Sequence, residues 1–194
     1  MKHPVMSTIG RVVALIVALS LCLFGLQAAS ATAPTADRQV AHTKQGSLSS
    51  RIVGTASGDR KVTGAFVPLK FVKRDGKVLV RGLVQGVVHE KNGDRTTFAK
   101  LKTVRVKSLN GTPGHARANC DVLHLVLAPL NLDLLGLTVH LDRVVLDIVA
   151  VSGAGKLLGN LLCAVTGLLD GGLGGALGRL VNLLNQILGA LRLG

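Results

Sequence analysis

Leucine and valine recur at every second position over long stretches of this chain, and the breaks in that alternation divide it into elements. The segment KVTGAFVPLKFVKRDGKVLVRGLVQGVVHEKNGDRTTFAKLKTVRVKSL, from Lys61, holds three β-rich runs separated by Asp75-Gly76 and Asn92-Gly93. Both dipeptides favour the positive φ angles of tight hairpin turns. The pattern therefore predicts a three-stranded antiparallel meander with strands over 62–73, 77–90 and 95–109. Within the third run the apolar residues change parity, from Ala99 and Leu101 to Val104 and Val106. A bulge near Lys102 and Thr103 reconciles the two phases, and with it Lys100, Lys102, Arg105 and Lys107 would share one exposed face.

Beyond the Gly- and Pro-containing stretch NGTPGHARAN, Leu123, Leu125 and Leu127 alternate, Pro129 interrupts, and Leu130, Leu132 and Leu134 alternate again. Leu137, Val139 and Leu141 follow Gly136, and 144–151 supplies one more run. Period two over so many positions argues for strands with one buried face. His124, Asn131, Asp133, His140 and Asp142 fall on the other face, where alternating polar residues ordinarily meet water or a neighbouring loop. From Leu157 to Leu169 the chain is apolar on all sides and stops at Gly171-Gly172, the pattern of a buried helix with a glycine terminator. A second helix, over 173–193, places Leu173, Leu177, Leu180, Leu184, Ile187 and Leu191 on one side and Arg179, Asn182, Gln186 and Arg192 on the other. That polar stripe argues against a membrane span. The expected fold class is α+β, mainly β: an antiparallel meander, further strands and a C-terminal helical pair.

Two stretches lack such a pattern. Lys2 and Arg11 precede an apolar run from Val12 to Leu26 and then small residues, which is the make-up of a secretory signal peptide over 1–31. Ala29-Ser30-Ala31 fits its cleavage rule, so the mature chain would begin near Thr32. The apolar run is short against the roughly 20 residues a membrane helix needs, and Leu21 stands before Cys22 where acylation of that cysteine expects a small residue. The stretch 32–50, rich in Ala, Thr, Ser and Gln, shows no apolar periodicity and is expected to be a disordered leader. A basic meander over 51–117 and a leucine-rich part over 118–194 would then form one domain.

Charge separates these two parts. From Arg38 to Arg117 there are 17 Lys and Arg against 4 acids, whereas 118–194 carries 4 against 5. The whole formal charge of +13 is thus matched by the first part alone, and such a balance attracts anionic partners. Loss of Cys22 with the signal peptide leaves Cys120 and Cys163 in an oxidising compartment, an even count that reads as one disulfide. Closing a loop of about 44 residues stabilises a fold by about 4 kcal/mol in the chain-entropy model. A metal site on Cys120, His124 and His140 is the weaker alternative, because structural zinc draws on paired, closely spaced ligands; neither a metal nor a cofactor is expected.

Motifs for catalysis fail on inspection. In SGAGK, Ala150 occupies the first glycine position of a phosphate loop and Leu157 replaces the hydroxyl residue. Ser152 lies between Ala150 and Ala154, so there is no nucleophile elbow. Ser152, His140 and Asp142 could be assembled into a secreted hydrolase, but residues two apart on a strand serve a surface equally well. With no Trp or Tyr, and with Phe66, Phe71 and Phe98 as the aromatic residues of the mature chain, stacking recognition of nucleic acid is poorly supported. The expectation is an exported, noncatalytic, cell-envelope protein that meets an anionic polymer or lipid surface through Lys100, Lys102, Arg105 and Lys107. Its apolar half would serve as core, ligand pocket or partner contact, and the hydrolase is the alternative.

The segment CDVLHLVLAPLNLDLLGLTVHLDRVVLDI followed by GAGKLLGNLLCAV resembles a family of exported bacterial proteins that share this two-cysteine spacing. The likeness covers Cys120 to about Leu169, and Lys156 departs from it, since similar proteins more often have an uncharged residue there. It implies export and a β-rich fold with both cysteines; it implies no substrate.

Overall fold

The structure is a computed structural model, and it describes residues 38–112, 120–151, 155–170 and 175–193. Within them run eight strands, β1 (Arg38–Thr43), β2 (Gly46–Ala56), β3 (Arg60–Arg74), β4 (Lys77–His89), β5 (Arg95–Thr112), β6 (Val122–Leu127), β7 (Leu130–Leu134) and β8 (Leu137–Ala150). Two helices follow, α1 (Leu157–Asp170) and α2 (Leu177–Ala190). The signal segment and its cleavage site lie outside the described residues.

All strand pairs are antiparallel. β2 to β6 pair in chain order, β6 pairs with β8, and β8 pairs back with β2, so six strands close into a barrel. Closure removes the open edges that a sheet of this width would otherwise present. β1 runs beside the first half of β2, and β7 beside the first half of β8. The fold is α+β, mainly β, as the alternation predicts.

Inward positions of the barrel are filled by Leu48, Ile52, Phe66, Val80, Val84, Leu123, Leu125 and Leu146, all essentially inaccessible. Leu158, Leu162, Leu184 and Ile187 of the helices belong to the same core. α2 packs on β3 and α1 on β5. Asn185 holds α2 in place: its Oδ1 accepts the Phe71 N–H at 2.8 Å and its Nδ2 donates to the Phe71 carbonyl at 3.0 Å. A helix side chain thus satisfies both backbone groups that a neighbouring strand would have paired. Under α1, a Cβ on Gly111 would lie 1.9 Å from Thr166 Cγ2, so a glycine there lets the helix seat against β5. Cys120, ahead of β6, and Cys163, on α1, form the expected disulfide, with Cα atoms 5.0 Å apart. Thr166 donates to the Cys163 carbonyl at 2.9 Å beside it. Among the described residues no helix is long and apolar enough to cross a membrane.

Several expectations need correction. Of the leader drawn over 32–50, residues 32–37 lie outside the described residues, and from Arg38 it is β1, a turn at Lys44 and Gln45, and the start of β2. Its buried positions are Gly46, Leu48 and Ser50, continuing to Ile52, Gly54 and Ala56; small residues carry the period there, so a pattern sought in large apolar side chains misses it. Ser50 is buried because its hydroxyl accepts the Phe66 N–H at 2.9 Å. In β5 no register shift occurs at Lys102 and Thr103, where pairing with β4 is continuous from Arg95 to Arg105. The bulge falls between Val106 and Ser108, where β5 passes from β4 to β6 as its paired neighbour. β8 is one strand where the pattern suggests two: Asp142 and Arg143 are both exposed at a bulge opposite Val53 and Gly54, which shifts the buried parity without ending the strand.

The turns differ in kind. Asp75 and Gly76 both have positive φ, 51° and 66°, as a two-residue hairpin requires. At Asn92-Gly93 only Gly93 does, at 92°, and the loop is held by Gly93 N–H donating to the Glu90 carbonyl and Asp94 N–H to Asn92 Oδ1, each 3.1 Å.

A candidate basic binding wall on β3, β4 and β5

Register decides which side chains share the outer wall of a sheet. In β4 the even-numbered positions from Val78 to Val88 are buried, so Lys77, Leu79, Arg81 and Leu83 point outward. Across the β3–β4 hairpin Arg74 stands opposite Lys77 and Lys70 opposite Arg81. On the other side of β4, Arg105 stands opposite Leu79. Lys70, Arg74, Lys77, Arg81 and Arg105 are all exposed and lie on three adjacent strands. The strand positions of β3, β4 and β5 hold no Asp or Glu; Asp75 sits in the turn, and Glu90 and Asp94 in the loop at the far end. Val72 and Leu79 are half-buried between the cations, and Leu69 and Leu101 are 38% and 51% exposed.

Like charges placed directly opposite each other cost a sheet stability. This wall does so twice, at Arg74 with Lys77 and at Lys70 with Arg81. Neither pair carries a compensating carboxylate among the described residues. The arrangement concentrates positive potential on one side of the barrel, where it acts over about 8 Å at physiological ionic strength.

The four cations singled out along β5 do not lie together. Arg105 is on the outer wall, and Lys107 is exposed at the bulge. Lys100 and Lys102 stand opposite Val84 and Gly82, on the core side of the sheet, and both are half-buried. Long aliphatic stems tolerate such positions by carrying the amine to a polar partner, and Lys100 Nζ donates to the Asp133 carbonyl of β7 at 2.6 Å. It spans the gap where β5 and β7 lack a common strand neighbour. Lys70, Arg74, Lys77 and Arg81 were missed although the signal was present: a two-residue turn at Asp75-Gly76 dictates that 74 faces 77 and 70 faces 81.

The outer wall of β6, β7 and β8 is of another kind. His124 stands opposite Asp147, and its Nδ1 is hydrogen-bonded to that carboxylate. His140 stands opposite Asn131, with Nδ1 and Oδ1 2.6 Å apart, and its Nε2 is 3.6 Å from Asp142 Oδ1. Asp133 Oδ1 accepts the Gly136 N–H at 3.1 Å in the hairpin turn. At the usual strand rise, His140 and the Asp147 that pairs with His124 are roughly 20 Å apart. His124, His140 and Asp142 therefore do not converge, and the side chains of His140 and Asp142 are 52% and 65% exposed. Ser152 lies outside the described residues. Among the described residues no group of three or more His, Cys, Asp or Glu is placed to hold a metal ion.

Comparison with protein-family models, with curated proteins and with solved structures finds no match to this chain.

Proposed function

We propose that this is an exported, noncatalytic attachment protein that holds to anionic surfaces of the cell envelope through the outer wall of β3, β4 and β5. The observation that carries the proposal is the doubled like-charge pairing, Arg74 with Lys77 and Lys70 with Arg81, with no acid on the strands around it. A wall serving solubility alone would intersperse both signs, which removes the repulsion and still meets water. Keeping only one sign is favourable when an anionic partner supplies the missing charges. Export is supported by the disulfide, which persists in oxidising compartments, and by the apolar run after Lys2 and Arg11. The hydrolase alternative has less support, since His140 and Asp142 stand in the open and His124 is paired elsewhere.

Sedimentation with phosphatidylglycerol and phosphatidylcholine vesicles at low and high salt tests this. The protein should bind the anionic vesicles at low salt and leave them at high salt. Each cation near an anionic surface contributes about 1 kcal/mol, so replacing Lys70, Arg74, Lys77, Arg81 and Arg105 together by Gln should weaken binding by about three to four orders of magnitude. Replacing Lys100 and Lys102 by Gln should leave it nearly unchanged. Binding that ignores salt, or that survives in the five-site variant, defeats the proposal.

A further inference from the structure

At the end of the basic wall, where the β3–β4 hairpin approaches the helices, an open cleft of about 500 Å³ is lined by Lys77, Arg105 and Lys107 and by apolar residues of β4, β5, α1 and α2. Its apolar walls include Val106, Leu109, Leu169 and Leu177, each packed against the core yet only partly buried. Val78 and Leu180 close the floor. A volume of this size lies within the range of roughly 300–1,000 Å³ usual for small-molecule sites. Two of its cations, Lys77 and Arg105, also belong to the outer wall, and Lys107 stands at the β5 bulge beside them.

We propose that this cleft receives one acyl chain of an acidic lipid, with Lys77, Arg105 and Lys107 gripping the headgroup. This rests on the attachment reading above and deepens it: the anionic surface is a lipid one, and contact includes a chain drawn out of the bilayer. The argument is one of complementarity at both ends of the ligand. An apolar chain displaces water from a leucine- and valine-lined slot, which is favourable in proportion to the area covered. A phosphate or carboxylate at the mouth meets three cations for which the described residues supply no acidic partner, and hydrogen bonds between ionised groups are about twice as strong as neutral ones. A soluble polyanion would use the cations and leave the slot wet. A neutral lipid would fill the slot and leave the cations without a counter-charge. An acidic amphiphile satisfies both.

The occupant can be tested with single-chain probes on the purified mature protein. Titration with myristate, with myristyl alcohol and with butyrate separates headgroup from chain, and polyphosphate reports the basic wall alone. Myristate should bind at least about tenfold more tightly than either of the other two small probes, because each lacks one of the two matched ends. Leu177→Trp fills the slot and should lower myristate affinity by about tenfold or more, at the cost of a few buried methylenes. The same variant should keep polyphosphate binding and its β-sheet circular dichroism unchanged, the second certifying that it is folded. Leu169→Trp fills the slot from the other helix and should repeat the result. Lys77, Arg105 and Lys107 replaced together by Gln should weaken myristate and polyphosphate alike. Equal binding of myristate and myristyl alcohol, or a myristate affinity untouched by both tryptophan variants, overturns the lipid-cleft proposal while leaving the basic wall standing. Absence of polyphosphate and phosphatidylglycerol binding at low salt overturns the attachment reading itself; myristate bound with the predicted selectivity would then leave the cleft as a site for free acidic amphiphiles.

Discussion

The barrel has two outer walls built on the same strand geometry and finished by opposite rules. On β6, β7 and β8 a polar side chain tends to find its complement across the strand: His124 with Asp147, His140 with Asn131. On β3, β4 and β5 the same cross-strand positions bring Lys70 to Arg81 and Arg74 to Lys77. One wall is satisfied from within, and the other is left with an excess that only something outside the molecule can balance. The contrast singles out the proposed attachment surface better than charge counting does, because it compares positions of equal geometry. It also explains why the histidines and aspartates, the residue types most suggestive of chemistry, are the less informative set.

The two walls are fastened by different devices, and removing each should loosen its own wall. The largest effect is expected from the disulfide, which ties α1 to the start of β6. Replacing Cys120 and Cys163 by Ser should cost about 4 kcal/mol in chemical denaturation. Hydrogen exchange should show β6 and α1 losing protection before β3 does. Equal loss on both walls would mean that the barrel answers to the bridge as a whole. A smaller effect, about 2 kcal/mol, is expected for Asn185→Ala, which strands the N–H and carbonyl of Phe71. Here protection should fail first over the second half of β3 and the facing turns of α2. Smallest is the test of the charge rule itself. Lys70→Glu should stabilise the fold by about 0.5 kcal/mol by giving Arg81 an opposite charge, and Asp147→Lys should destabilise it by a similar amount. Denaturant midpoints for this pair of variants moving in the same direction would break the comparison. The stabilised Lys70→Glu protein should also bind phosphatidylglycerol vesicles less well, trading attachment for stability.

Much of the fold was legible in the residues. Asp75-Gly76 and the alternation on either side of it mark the β3–β4 hairpin with its register, and Cys120 and Cys163, the two cysteines beyond the expected signal segment, mark the bridge. What escaped did so for physical reasons. β2 hides its period in Gly46, Ser50 and Gly54; the two glycines lie close against β8, where a Cβ on Gly54 would lie 2.1 Å from the His140 carbonyl. Lys100 and Lys102 look like surface charge, but their stems lie along the core side of the sheet and one amine is spent on a backbone carbonyl. The bulge in β5 answers to a change of neighbouring strand, which local parity does not report. The basic wall was the most instructive omission. It is invisible along any one strand, where cations are spaced irregularly, and emerges once the two-residue turn is used to fold β3 onto β4.

Ring closure carries a consequence for how the molecule is made. β2 pairs with β8 from Gly46 with Ala150 to Ala56 with Val139, so the first barrel strand waits for the last. Pairings this remote in sequence slow folding, because the intervening loop must be closed before the contacts form. Until β8 is present, β2 and β6 remain unpaired edges flanking a meander whose hairpins can form locally. A chain threaded through a membrane from its N-terminus would therefore emerge with β3, β4 and β5 able to fold early and with the barrel still open. The cationic wall belongs to that early part, and it can repel a second copy of the same unfinished chain while the last strand arrives.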